Sequence, residues 1–374
     1  MTMRAVKLGD VLNLFNGKAP TLTEDGSVLA YGSNGIIGKS AHHNHPPSII
    51  LGRVGAYCGS VKFSPEPFWA SDNTIVVRPV DGHDLSYWYY KLQTVSLSNY
   101  AGGAAQPLIT HSIVKPIETS IHSDIVTQKR VSAILSAYDD LIDNNRRRIE
   151  LLEEAARLLY REWFVRLQFP GHEHFKIVDG VPAGWRRTSI SELSDFLSRG
   201  ITPTYDDEAS GIVINQKCIR SSKLSLTEAR RQSKRVPDSK LVRQYDVLIN
   251  STGTGTLGRV AQNYLNLPNL TVDSHVTIAR PKPDVPPCWY GLTLILKQDF
   301  IATLGRGATN QTELSKDDVG AITTIIPTAD ILEDFESQVS QIVRQITVLS
   351  AQSDELAKAR DLLLPRLMDG RLEV

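Results

Sequence analysis

The chain has 374 residues, 41 basic against 41 acidic side chains, 41% hydrophobic content and three cysteines. That length suits two or more domains with real cores, and the composition excludes wholesale disorder. Cys58, Cys218 and Cys288 are odd in number and far apart, which excludes a disulfide scaffold or a CxxC zinc site and fits a reducing cytoplasm. Charges interrupt the N-terminal stretch too early for a secretory core, and no apolar run approaches the ~18 residues of a membrane span. A cytoplasmic protein with no membrane partner is therefore expected.

In chain order, strand-like runs at Ile49–Leu51 and Thr74–Val77 lead to an aromatic helical stretch at Trp88, Leu92 and Val95. A long helix then places Leu135, Tyr138, Ile142, Asn145, Ile149, Leu152, Ala156, Leu159 and Trp163 at alternating spacings of three and four. Strand-like runs return at Ile212–Asn215, Val247–Ile249 and Val276–Ala279, followed by Trp289, Leu292 and Ile295. A second long helix carries Phe335, Val339, Ile342, Ile346, Leu349, Ser353, Leu356, Leu363 and Leu367, with Arg360 breaking the apolar run. Asp330 and Glu333 read as a capping box that opens it. Phe169-Pro170-Gly171 is expected to stop the first long helix and Gly370 the second, with Pro365 kinking the last turn.

The two halves resemble each other. Ser48–Val61 (SIILGRVGAYCGSV) matches Asp246–Val260 (DVLINSTGTGTLGRV), each an apolar run, a glycine-rich turn and Gly-x-Val. Asp72–Pro79 then matches Asp273–Pro281, and Gly103–Gln106 matches Gly307–Gln311. The offset grows from 199 at Gly59/Gly258 to 202 at Arg78/Arg280 and 205 at Gln106/Gln311, as small loop insertions would make it. A duplication follows. The narrow seam on each long helix has the 3.5-residue period of a coiled coil, with Asn145 fixing register, and the chain's return through a folded unit makes antiparallel pairing natural. Each helix, at about 40 residues, would span roughly 60 Å. The fold class is α+β, with two tandem similar globular domains separated by two long helices that form an antiparallel coiled coil. The boundaries are 1–118, 119–168 for the central helix, 169–327, and 328–374 for the C-terminal helix.

Three segments imitate enzyme motifs. Gly253-Thr-Gly255-Thr-Leu-Gly258 follows a strand as a dinucleotide loop requires, but a strand-like run follows it where a helix is needed. Gly32–Ser40 mimics a phosphate loop with five residues where four belong, and His42–Pro47 cannot continue as its helix. His42, His43 and His45 lack supporting carboxylates or thiols, so no metal site is expected. No nucleophile triad or paired-carboxylate pattern stands out, and a non-catalytic chain is expected.

The charges are uneven. From Lys217 to Arg243 the chain holds nine basic residues against Glu228 and Asp238, a local net charge of +7 in a neutral protein. Lys217, Arg220, Lys223, Arg230, Arg231, Lys234 and Arg235 are thus candidates for contacting nucleic-acid phosphates, and arginine also reads guanine edges. The first half has no equal cluster; Lys39 and Arg53 are its basic candidates. Asn34, Tyr57, Gln106, Ser251 and Gln311, beside the glycine turns, are candidates for base edges. A solvated charged face is the alternative for the basic stretch.

Ile134–Glu154 (ILSAYDDLIDNNRRRIELLEE), Leu159–Val165 (LYREWFV), Phe169–Gly171 and Leu362–Leu372 (LLLPRLMDGRL) resemble type I restriction–modification specificity subunits. The resemblance implies that the globular units are target-recognition domains, each reading half of a bipartite site in double-stranded DNA, with the coiled coil setting the spacer. It also implies docking of two methyltransferase subunits and two restriction subunits. Cofactors, namely S-adenosylmethionine, ATP and Mg2+, are then expected on those partners and none on this chain. The alternative is a two-headed coiled-coil protein scaffold without sequence-specific DNA recognition.

Overall fold

The computed structural model describes residues 2–103, 106–307 and 312–374, and the chain divides into two compact units, Met1–Arg146 with Ala351–Val374, and Arg147–Ser350. The first unit contains, in order, β1 (Met3–Lys7), α1 (Leu8–Val11), β2 (Leu12–Asn16), β3 (Val28–Gly32), β4 (Gly35–Ser40), β5 (Ser48–Gly52), β6 (Val61–Ser64), β7 (Trp69–Ala70), β8 (Thr74–Pro79), α2 (Leu85–Thr94), α3 (His111–Val114) and β9 (Glu118–His122). The long helix α4 (Ile125–Tyr160) follows. Strands pair as a four-stranded sheet β2-β8-β5-β6, a three-stranded sheet β4-β3-β7 and the ladder β1-β9.

The second unit opens with a hairpin, β10 (Ile177–Val178) and β11 (Val181–Pro182), and then repeats the plan. It runs β12 (Arg186–Ser189), α5 (Ile190–Leu193), β13 (Ser194–Arg199), β14 (Gly211–Ile214), a small hairpin β15 (Ile219–Arg220) and β16 (Lys223–Leu224), and β17 (Arg230–Gln232). Next come β18 (Val247–Asn250), β19 (Val260–Gln262), β20 (Leu270–Val272), β21 (Val276–Pro281), α6 (Pro287–Leu296), α7 (Gln298–Thr303), α8 (Lys316–Gly320) and β22 (Thr323–Ile326), before α9 (Ala329–Met368). Its sheets are β13-β21-β18-β19, β17-β14-β20 and β12-β22, the same orders as in the first unit. Even the mixed sheet agrees: β3 pairs antiparallel with β4 and parallel with β7, and β14 does so with β17 and β20. The duplication is therefore of fold and not only of motif.

The central strands β5 and β18 are covered on both faces and buried along their whole length. Trp88 on α2 and Trp289 on α6 are wholly buried at corresponding positions. The two helices are started differently. Asp84 accepts from the Tyr87 amide (2.7 Å) and takes the Ser132 hydroxyl of α4 (2.8 Å), whereas in the second unit the Glu336 carboxylate of α9 accepts from the Cys288 and Trp289 amides (3.0 and 3.1 Å).

Each unit holds the start of one long helix beside the end of the other, running antiparallel. In the first unit, Val131 and Leu135 share a core with Leu367 and Met368. In the second, the rings of Tyr160, Trp163 and Phe164 lie 6.0, 5.5 and 4.7 Å from Phe335. Every expected seam residue is buried or half-buried, Asn145 included. Arg360 interrupts the seam because it pairs with Asp139 (2.5 Å), which also accepts from the Tyr90 hydroxyl (2.6 Å).

Two helix boundaries differ from expectation. The first long helix ends in a π-turn at Arg161–Val165, with Leu167 in the left-handed region at φ 58°, ahead of Phe169-Pro170-Gly171. The chain is turned there by the Gln168 amide bonding back to the Glu162 carbonyl (2.8 Å). Asp330 lies inside the first turn of α9 and is not its cap, since the helix already begins at Ala329. Gly370, at φ 68°, does follow the end of α9, and Pro365 lies inside it.

Candidate nucleic-acid interface

In both units the glycine turns are held by the same backbone bonds. The Arg53 amide bonds to the Asn73 carbonyl (2.9 Å) and the Ile109 amide to the Arg53 carbonyl (2.9 Å); in the second unit Ser251 bonds to His275 and Leu314 to Ser251 (both 2.8 Å). Gly59 bonds to Gly52, and Gly258 to Asn250 (both 2.8 Å). Earlier in each unit, Ser71 bonds to Tyr31 as Asp273 does to Ile214 (both 2.9 Å). Gly17 and Gly200 are equivalent too, for a Cβ at either would lie 1.9 Å from a carbonyl oxygen of the neighbouring segment.

These bonds fix the correspondence between copies, and they correct part of the sequence alignment. Asp273 matches Ser71, not Asp72, and His275 matches Asn73. The offset is 183 at Tyr31/Ile214 and 198 at Gly52/Asn250, so the second unit carries fifteen extra residues between β14 and β18. The insertion contains the β15–β16 hairpin and much of the basic stretch. With β3–β4 laid on β14–β17, Lys39 corresponds to Arg231 and Gly38 to Arg230.

Lys217, Arg220, Arg230, Arg231, Lys234 and Arg235 are exposed. Arg230 lies flat on Tyr205, its guanidinium carbon 3.5 Å from the ring centroid. Arg231 donates to the Ala209 carbonyl (2.9 Å) and Lys234 to the Thr202 carbonyl (2.9 Å), so both steady the loop before β14. Lys223 is drawn aside to Glu153 on α4 at 3.1 Å. Ser251 is a correction: it is wholly buried, its hydroxyl shared with Thr277 (2.6 Å), and it holds the turn from inside. In the first unit Asn34, Lys39, Tyr57 and Gln106 are exposed, while Arg53 is half-buried and reaches the Asp72 carbonyl (3.4 Å). Gln311 lies outside the described residues.

A groove of about 480 Å³ opens at the root of the insertion, lined by Tyr205, Lys217, Glu228, Arg230, Asp273 and His275 among others. Burial raises the Asp273 carboxyl above the usual carboxylate range, against the His275 amide that bonds to it (2.9 Å). None of the enzyme-like motifs acquires its chemistry. Gly253, Gly255 and Gly258 have φ of 100°, 73° and 81° and lead into strand β19; Gly32–Ser40 is the β3–β4 hairpin. His45 packs against Phe15 and Phe68. Among the described residues, no group of three or more His, Cys, Asp or Glu is placed to hold a metal ion, and no helix is long and apolar enough to cross a membrane.

The family model described as "Type I restriction modification DNA specificity domain" matches residues 2–154. The chain is 26% identical over 351 residues to the specificity subunit of the type I restriction enzyme MjaIX of Methanocaldococcus jannaschii, covering 88% of this chain and 78% of the relative. Over 115 residues it is 29% identical to the EcoprrI specificity subunit of Escherichia coli, 30% of this chain and 28% of that one. Its fold matches a crystal structure of the type I restriction–modification S subunit from M. genitalium at a TM-score of 0.65 and 16% identity, over 98% of this chain and 96% of the other. Residues 2–154 thus match a type I specificity domain, and the chain as a whole is similar to type I specificity subunits.

Sequence reasoning missed Tyr205 and His275, which line the groove, and Asn73, the counterpart of His275. The Tyr205 signal was absent, because its partner Arg230 lies across a strand pairing that sequence spacing does not display. His275 and Asn73 were hidden by a one-residue slip in the repeat alignment, which carrying the Arg78/Arg280 offset of 202 back along the strand would have removed.

Proposed function

We propose that this chain is the non-catalytic, sequence-reading component of a type I restriction–modification complex. Residues 1–118 and 169–327 act as its target-recognition domains, each reading one half of a bipartite site in double-stranded DNA. The helices at 119–168 and 328–374 set the spacer and dock two methyltransferase subunits. Two restriction subunits complete the assembly, and S-adenosylmethionine, ATP and Mg2+ are used on those partners in the cytoplasm. The observation that carries this reading is the duplicated loop frame, identical in backbone bonding and different in the side chains it displays. A scaffold that grips one kind of protein twice has no need of that difference, whereas a reader of two unlike half-sites does.

The test is base-resolution mapping of methylated adenines in DNA from cells expressing this chain with its methyltransferase subunit. A bipartite motif is expected. An assembled, active complex that methylates without any motif would return the chain to the scaffold reading. In the same assay, removing one heptad from each long helix shortens the rod by about 10 Å and moves the half-sites about three base pairs closer.

A further inference from the structure

The groove beneath the insertion presents an unusual set of hydrogen-bonding groups. Gln216 Nε2 donates to Thr252 Oγ1 (2.6 Å), and Gln216 Oε1 accepts from Thr256 Oγ1 (3.4 Å), which fixes the amide's orientation. Thr252 Oγ1 also lies 2.8 Å from His275 Nδ1. His275 is exposed and held through Nδ1, which leaves Nε2 as the ring nitrogen available to a ligand. Lys217 adds an ammonium, and Arg230 a guanidinium whose plane is set by Tyr205. The Asn215 amide is spent on the Glu228 carbonyl (2.6 Å) and the Lys217 amide (2.8 Å). What remains is the Lys217 ammonium, the Arg230 guanidinium, His275 Nε2 and the Glu228 carboxylate.

Resting on the reading of this chain as a DNA-specificity subunit, we propose that this groove reads a G·C base pair through its major-groove edge. Guanine shows two acceptors there, N7 and O6, which Arg230 and Lys217 match, with His275 beside them. The paired cytosine shows an amine, for which Glu228 is the acceptor. Stacking on Tyr205 removes much of the rotamer freedom that Arg230 would otherwise lose on binding. The first unit has the same frame and little of this chemistry: Gly38 and Asn73 stand where Arg230 and His275 stand. The groove therefore gives the second half-site a G·C requirement that the corresponding point of the first does not impose.

The experiment compares methylation maps made with the wild-type complex, with the triple variant Lys217→Asn, Arg230→Gly, His275→Asn, and with the single variant Arg230→Lys. In the triple variant, one G·C position of one half-site is expected to lose about tenfold or more of its preference, while the other half-site and the spacer stay unchanged. Arg230→Lys is expected to keep the base and lose part of the preference. An intact motif with methylation reduced evenly at all sites would overturn the proposal, since that is the result of phosphate contact alone. A second measurement needs no variant: a duplex carrying 7-deazaguanine at that position should bind the wild-type complex about tenfold more weakly, and equal binding refutes the assignment. A wild-type complex that is active yet yields no motif overturns the functional reading, and this inference with it; a clear motif indifferent to these changes overturns this inference only.

Discussion

The two halves of this protein share strand order and turn bonding, and differ in what they place on that frame. At one point the first unit puts Gly38, where an added Cβ would meet Leu22 at 3.2 Å; the second puts Arg230 stacked on Tyr205. Where the first has buried Ser48, the second has Asp246, gripped by Arg280 at 2.8 and 2.7 Å; the first unit's Arg78 instead lies over Phe15 at 4.1 Å. The lesson is a division of labour. Backbone bonds and core volume preserve the fold, which leaves the loop side chains free to diverge.

The comparison breaks most sharply at the buried pair. Arg280→Met leaves the buried Asp246 carboxylate without its counter-ion, held only by the Arg243 amide (2.8 Å), and should cost about 3–5 kcal/mol. Arg78→Met, which removes a partly exposed cation from a ring, should cost under about 1 kcal/mol. Denaturant titration of the two variants measures both, and equal losses would show that the pair is not what distinguishes the second unit.

Replacing Arg230, Arg231, Lys234 and Arg235 with Ala comes next in size. Binding to DNA should weaken by about 10–100-fold at the second half-site, with a shallower dependence on salt. Affinity and salt slope both at wild-type values would mean that the basic stretch is solvated surface.

The smallest effect concerns pH and falls on the first unit. His45, His83 and His111 all have pKa values lowered by burial, which disfavours the charged ring. A folded pKa below the unfolded value of about 6.5 means the unfolded chain binds more protons as pH falls, so stability present above that value is lost below it. Hydrogen exchange should show first-unit amides losing protection from about pH 6.5 downward. The loss should stay at about 1 kcal/mol or less in total, because the three rings are half-buried and water screens them. Unchanged protection down to about pH 5 would contradict this.

How legible was all this in the sequence? The long helices were, because a seam repeated at three and four residues is the signature of paired helices, and even Asn145 lies where the heptad places it. The duplication was legible in the glycine turns, where positive φ ties residue identity to backbone shape; Gly59 and Gly258 have φ of 84° and 81°. The fifteen-residue insertion was not, since the similarity between the halves becomes visible only from Ser48, beyond the point where the offset changes. Nor was the burial of Ser251 or the capture of Lys223 by Glu153. Both depend on which face of a turn or hairpin meets its neighbour, and charge counting carries no information about that. Within the +7 stretch, Lys223, Arg231 and Lys234 are tied to neighbouring groups, which a count of charges does not reveal.

The path of the chain also bears on how the protein is made. The first unit includes Ala351–Val374: His122 Nε2 bonds to the Leu367 carbonyl (2.8 Å), buried Lys91 reaches the Met368 carbonyl (3.3 Å), and both Leu367 and Met368 sit in its core. The second unit is one continuous stretch, Arg147–Ser350. Synthesis therefore delivers the interior unit whole while the N-terminal one still waits for its last piece, the reverse of the usual order on the ribosome. Nascent chains stalled with Ser350 just emerged should resist protease across the second unit and be cut in the first. A nonsense codon in the last helix beyond Ser350 thus spares the second unit and strikes at the opposite end of the polypeptide.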